Sequence, residues 1–269
     1  MTLNFPRFRG AYRRRHVLAA CALALAAAGA AAQPAASPAA PAAPASAAFS
    51  PASGPGLQAA DAKLGEQLAK AGKPPQVPAC VGCHGADGMG VATFPRLAGT
   101  GVHYLSEQLQ ALADGRRNNA TMSPIAKAMT DAERAGAALY FSRLPARPWY
   151  APAVAADDPG AWLATRGRWA DGIPACASCH GPAGQGVGDS FPPLAGLPQA
   201  YIEEQLAAWQ NAGRPEGPMD LMRGVAARLK PADVKAVAAY YSGFSATPAA
   251  AAATAAASAP ATAASGAKP

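Results

Sequence analysis

Apolar side chains recur at helical spacing between residues 57 and 244, and the pattern fades on either side. Tyr104, Leu105, Gln108, Leu109 and Leu112 fall on one face of a helix, which predicts an amphipathic helix over 103–114. An earlier helix is expected over 61–71, ending at Gly72. Thr130 and Glu133 form a capping box that opens a helix running to about Arg143. Pro231 stands at the first turn of a similar helix, where its missing amide hydrogen costs nothing. No stretch alternates as a half-buried strand does, so the fold class is all-α.

The pattern occurs twice. "PACVGCHGADGMGVATFPRLAG" at 78–99 matches "PACASCHGPAGQGVGDSFPPLAG" at 174–196 with one inserted residue. "YLSEQL" at 104–109 matches "YIEEQL" at 201–206, and "MSPIAKAMTDAERAGAALYF" at 122–141 matches "MRGVAARLKPADVKAVAAYY" at 222–241 without a gap. An internal duplication therefore gives two modules, 57–147 and 148–245, joined through the Pro-rich segment 144–160.

Composition separates the flanks from this folded part. Residues 33–56 and 246–269 are Ala/Pro/Ser tracts without an amphipathic period, expected as a disordered linker and a disordered tail. Residues 1–32 have a basic start, an apolar run and small residues, the layout of a signal peptide. The run from Val17 to Ala32 is short for a bilayer span of about 20 residues, so cleavage is the expectation and retention as an anchor the second reading. Five arginines (7, 9, 13, 14 and 15) and no acids lie in this leader, so of the formal +7 only +2 belongs to the exported chain. No basic run with interleaved aromatics remains, which excludes nucleic acid as a partner.

Of five cysteines, Cys21 falls in the leader and the other four occupy the repeats as Cys80-Val-Gly-Cys83-His84 and Cys176-Ala-Ser-Cys179-His180. Cys-x-x-Cys alone reads as a zinc or redox site. Followed directly by His, in an exported and duplicated module, it reads as attachment of a c-type haem. The thiols add to the porphyrin vinyl groups, and His84 and His180 become the proximal iron ligands. So small a helical module has a thin core, which a covalent, mostly apolar haem would complete.

The distal ligand decides whether each iron is closed. The repeat nominates Met122 and Met222, with Met219 as the rival for Met222 because "GPMDLM" offers two thioethers. Met89 pairs with Gln185 and Met129 with Leu229, which assigns the first to a loop and the second to the core. His103 pairs with Ala200 and reads as a surface residue at a helix start. Phe94 and Phe191 are expected to wall the haems, and the Pro95 and Pro192 carbonyls to accept the imidazole Nδ1 hydrogens. Tyr104, Tyr201, Trp162, Trp169 and Trp209 are expected to line the haems or the domain interface.

Duplicated "PACxxCHG", "FPxLAG" and "Y(L/I)xEQL" segments with a distal Met, behind a signal peptide, resemble the di-haem cytochrome c4 family over about residues 57–244. The resemblance implies two tandem class I cytochrome c domains, related by a pseudo-twofold, whose haem propionates face each other across the interface. It implies two covalently bound haem c, attached at Cys80, Cys83, Cys176 and Cys179, with His84, Met122, His180 and Met222 as axial ligands. It further implies a periplasmic, peripherally membrane-associated carrier. Such a carrier takes electrons from a quinol-oxidising complex or a dehydrogenase and delivers them towards a terminal oxidase. The long Ala/Pro tails and the second thioether at Met219 depart from the family pattern.

Two closed irons leave no place for a substrate, so the residues also read as a carrier and not an enzyme. A cytochrome subunit of a dehydrogenase or of a sulfur-oxidising complex fits the sequence equally. A di-haem enzyme with one open iron fits it less well: a thiosulfate-oxidising enzyme would be expected to place a Cys on a distal face, and no mature Cys is spare.

Overall fold

The computed structural model describes residues 61–214 and 220–248; the leader, the 33–56 linker, Met219 and the tail from 249 lie outside the described residues. Helix α1 (Ala62–Ala71) starts where the Asp61 carboxylate accepts from the Lys63 amide at 2.7 Å and ends at Gly72, φ 69°. One-turn helices α2 (Val81–His84) and α7 (Ala177–His180) carry the two Cys-x-x-Cys-His motifs. In the first module α3 (Val102–Asp114), α4 (Met122–Lys127) and α5 (Asp131–Arg143) follow, the last opened by the Thr130/Glu133 capping box. The second module adds α6 (Pro159–Thr165), α8 (Gln199–Gln210), α9 (Leu221–Ala226) and α10 (Pro231–Ser242), with Pro231 in the first turn of α10. The regular elements among the described residues are all helical, as the periodicity requires.

Packing repeats with the sequence. Helix α5 lies on α1 and α3, and α3 on α4; α10 lies on α6 and α8, and α8 on α9. The first crossing in each module is held open by glycine. A Cβ on Gly65 would stand 2.0 Å from the Gly136 carbonyl oxygen, and one on Gly160 would stand 2.2 Å from that of Ala236. Leu68, Ala69, Val102, Leu105, Ala138 and Phe141 fill the first core; Leu163, Ile173, Ile202, Leu206, Val237 and Tyr241 fill the second. Met129 and its partner Leu229 are both buried, which places Met129 in the core.

The modules meet through reciprocal contacts. Arg117 donates to Tyr201 Oη at 3.1 Å and Gln205 Oε1 at 2.8 Å across the interface, and to its own Gln108 at 2.9 Å. Arg214 mirrors this, donating to Tyr104 Oη at 3.1 Å, to Gln108 Oε1, and to its own Gln205 at 2.8 Å. Each of these residues stands 97 positions from its counterpart, so the interface is isologous and the modules are related by a twofold. The insertion in the second repeat supplies an unmatched contact: the Asp189 carbonyl accepts from the Tyr104 amide at 2.9 Å. Tyr150 bridges back to Ser245, tying the connecting segment to the second module. No helix among the described residues is long and apolar enough to cross a membrane.

Candidate haem sites

Each Cys-x-x-Cys-His motif winds into a single helical turn, so the two thiols and the imidazole emerge within five residues of one turn. His84 and His180 are buried, 6% and 5% exposed. The Pro95 and Pro192 carbonyls lie 2.7 Å from their Nδ1 atoms. A carbonyl only accepts, so Nδ1 carries the proton and Nε2 presents its lone pair. Burial lowers both imidazole pKa values, opposed by these carbonyls, which favours the neutral rings. Phe94 and Phe191 stand edge-on to the imidazoles at 6.1 and 6.3 Å between ring centroids. Burial also raises the Cys80 thiol and pushes Cys176 up to about 11.

The surroundings fit a large ring that is apolar on its faces and anionic at one edge. Val91 and its counterpart Val187 are about half exposed beside the motifs, as is Phe94 at 39%. Buried donors also lack partners: Arg96 Nε and Nη2, Thr100 Oγ1, Trp149 Nε1 and Trp209 Nε1. Porphyrin faces cover such side chains, and propionate carboxylates accept from such donors. Among the described residues no three His, Cys, Asp or Glu side chains gather as a metal site. Two Cys-x-x-Cys-His motifs in two cytochrome c domains hold two haem c.

The thioethers occupy equivalent places. Met122 is the first residue of α4, half-buried, its amide bonded to Asn119 Oδ1 at 2.9 Å. Met222 is in the first turn of α9, half-buried against the second core together with Cys176 and Tyr201. The second module carries three extra residues between Arg214 and Met222, relative to Arg117 and Met122. Counted forward from the arginines, Met219 is the equivalent of Met122; counted back from the helix, Met222 is. Ala126 and Ala226, both fully buried, fix the register of α4 and α9 and match Met122 to Met222. Met89 lies in a turn and His103 is exposed at the start of α3.

Tyr104 and Tyr201 fall at the interface, whereas Trp162 and Trp169 are exposed on the second module, Trp162 stacked against Arg166 at 4.3 Å. Arg117, Arg214 and Arg96 belong to no motif that marks them in the sequence. The common 97-residue offset of Arg117 and Arg214 with the tyrosines was the available signal for the first two.

The family model for cytochrome c matches residues 62–144 and 173–243. A thiosulfate dehydrogenase electron acceptor from Thiomonas intermedia is 45% identical over 182 residues, 66% of this chain and 84% of its own length. The structure of reduced cytochrome c4 from Pseudomonas stutzeri superposes with a TM-score of 0.58 at 33% identity, over 69% of this chain and all of that one. A thiosulfate dehydrogenase from Marichromatium purpuratum superposes with a TM-score of 0.61 at 38% identity, over 69% of this chain. This chain spans 40% of the length of that dehydrogenase.

Proposed function

Because the chain belongs to the cytochrome c family and is a di-haem electron carrier of the cytochrome c4 type, we propose that its electron donor is a thiosulfate-oxidising dehydrogenase. The observation that carries this reading is the 45% identity to a thiosulfate dehydrogenase electron acceptor, against 37% to a cytochrome c4 aligned over a similar length. The chain thus takes the role of a dedicated acceptor in sulfur oxidation, in preference to the general carrier between a quinol-oxidising complex and an oxidase. Oxidation at sulfur releases electrons in pairs, and a chain with two one-electron centres takes up one pair. Onward delivery is to an oxidant of higher potential, a terminal oxidase by class.

In this reading His84 and Met122 ligate the first iron, and His180 and Met222 the second. The haems supply one-electron redox chemistry when bound. The polypeptide holds each imidazole through a proline carbonyl, would supply a thioether from Met122 or Met222 as the second ligand, and joins the two modules through the Arg117 and Arg214 contacts. A thioether opposite a histidine favours ferrous iron, which suits an acceptor. The basic, apolar leader supports export to the periplasm.

The test is stopped-flow absorbance of the oxidised holoprotein mixed with a thiosulfate dehydrogenase, with and without thiosulfate. Reduction of both haems only when enzyme and thiosulfate are present, at catalytic enzyme concentrations, is expected. Haems that stay oxidised under those conditions, yet are reduced by a quinol-oxidising complex, return the protein to the general carrier role.

A further inference from the structure

Arg96 follows Pro95, whose carbonyl holds His84, and its side chain is folded inwards, 6% exposed. Its Nε and Nη2 atoms find no hydrogen-bond partner, and no acid among the described residues pairs with it. The guanidinium lies over the Trp149 ring, 4.9 Å from its centroid, and Trp149 Nε1 is itself buried without a partner. Burial lowers the Arg96 pKa to about 10, so the group is still a cation at neutral pH. A buried cation held by an aromatic face alone is costly, and its two orphaned donors call for an anionic acceptor. The equivalent residue of the second module is Pro193, buried and uncharged. A single substitution between otherwise matching "FPRLAG" and "FPPLAG" segments therefore puts a positive charge directly after the proline that holds His84 and none directly after the one that holds His180.

We propose that Arg96 is the counter-ion of a propionate carboxylate on the haem held by Cys80 and Cys83, and that it makes the two haems electrostatically unequal. The inference rests on haem attachment alone and is independent of the identity of the electron donor. A guanidinium paired with the carboxylate cancels a negative charge that would otherwise stabilise ferric over ferrous iron, so it raises the potential of the first haem. The Arg96 position has no part in fixing the iron itself, since the thiols, His84 and the distal ligand lie on other segments.

The experiment is a spectroelectrochemical titration of the holoprotein and its Arg96→Gln and Arg96→Lys variants, with haem quantified in each. Proton NMR assigns each midpoint to its haem through the β-protons of the attached cysteines. Arg96→Gln keeps a donor and removes the charge: the midpoint of the first haem is expected to fall while that of the second stays and two haems per chain remain. Arg96→Lys restores the charge and is expected to hold the first midpoint near its parent value. Unchanged midpoints in Arg96→Gln would overturn the proposal. So would equal falls in both haems, a shift confined to the second haem, or a fall in Arg96→Lys as large as in Arg96→Gln. If Arg96→Gln fails to retain its first haem, Arg96→Lys decides: loading with the parent midpoint supports the pairing, and loss of haem or a lowered midpoint refutes it.

Discussion

The two modules close the turn between their last two helices over the same pair of backbone carbonyls, but with donors from different helices. In the first, Arg134 of α5 donates to the carbonyls of Ala126, at 2.9 Å, and Met129. In the second, Gln210 of α8 donates to those of Ala226 and Leu229, both at 2.9 Å. The position equivalent to Arg134 is Val234, so the second copy has no guanidinium there. Inward-pointing carbonyls must be satisfied whatever the sequence does, and either donor meets that demand. What is identical in both copies is the set that a haem requires: two thiols, an imidazole and a proline carbonyl behind it. Divergence collects where a requirement can be met in several ways, and at Arg96 and Pro193, where the two haems come to differ.

The sharpest break in the comparison removes one cofactor. Replacing Cys80 and Cys83 by Ala should leave one haem per chain in place of two, measured by haem quantification against protein. The first core is thin and Val91 and Phe94 already lie open, so this module should lose its cooperative melting while the second keeps its own. Loss of the second haem as well would mean that the reciprocal arginine contacts, and not separate cores, hold both modules.

Next in size is the distal ligand. Met122→Ala should open the first iron, lower its potential and let the reduced form bind carbon monoxide, with the second iron unaffected. Met222→Ala should do the same to the second iron, and Met219→Ala should leave both inert to carbon monoxide. A carbon monoxide-binding Met219→Ala variant would transfer the ligand role to Met219 and make the arginines, not α9, the right point from which to count.

The parts that were legible in the sequence are those governed by local rules or by the repeat. Asp61, Gly72, the Thr130 capping box and Pro231 mark their helix ends as expected, because caps act within one turn. The proline carbonyls behind His84 and His180 follow from a fixed spacing of eleven and twelve residues. The interface was harder to see, since Arg117 bonds to Tyr201 and Gln205 more than eighty residues away and such polar side chains read as surface. Gly65 and Gly160 were also silent. Glycine inside a helix signals cost, and only the facing Gly136 and Ala236 backbones show what the missing Cβ permits. Arg96 was hidden because nothing local distinguishes a buried arginine from a solvated one.

A smaller effect tests the two donor arrangements. Arg134 is buried, so Arg134→Leu strands two carbonyls away from water and should cost about 2–3 kcal/mol. Gln210 is exposed, so water can replace it, and Gln210→Leu should cost about 1 kcal/mol. Chemical denaturation of the holoprotein followed by circular dichroism measures both. Equal costs would show that the carbonyls of the first module are as open to water as those of the second.

The smallest effect concerns one ion pair that both copies keep with different cations. Lys73 donates to both oxygens of Glu133 at 2.8 and 2.6 Å, and Arg168 donates to both oxygens of Asp233 at 3.1 and 2.7 Å. Each carboxylate also accepts from the backbone amide that precedes its helix, Thr130 at 2.7 Å and Lys230 at 2.9 Å. Lys73 beside Glu133, and Arg168 beside Asp233, hold these carboxyls below the usual range of about 4. A depressed carboxyl pKa stabilises the fold above the unfolded value, and that contribution is lost as pH falls through the folded value. Lys73 is 43% exposed, so solvent screening weakens its pair, whereas the planar fork of Arg168, 33% exposed, engages both carboxylate oxygens at once and should make its pair the stronger of the two. Glu133→Gln and Asp233→Asn should therefore each lower the melting temperature at pH 7, Asp233→Asn more. Calorimetric melts repeated below pH 4 should bring both variants towards the parent. A gap that persists in acid would mean that geometry at the helix starts, not charge, is what the two copies have kept.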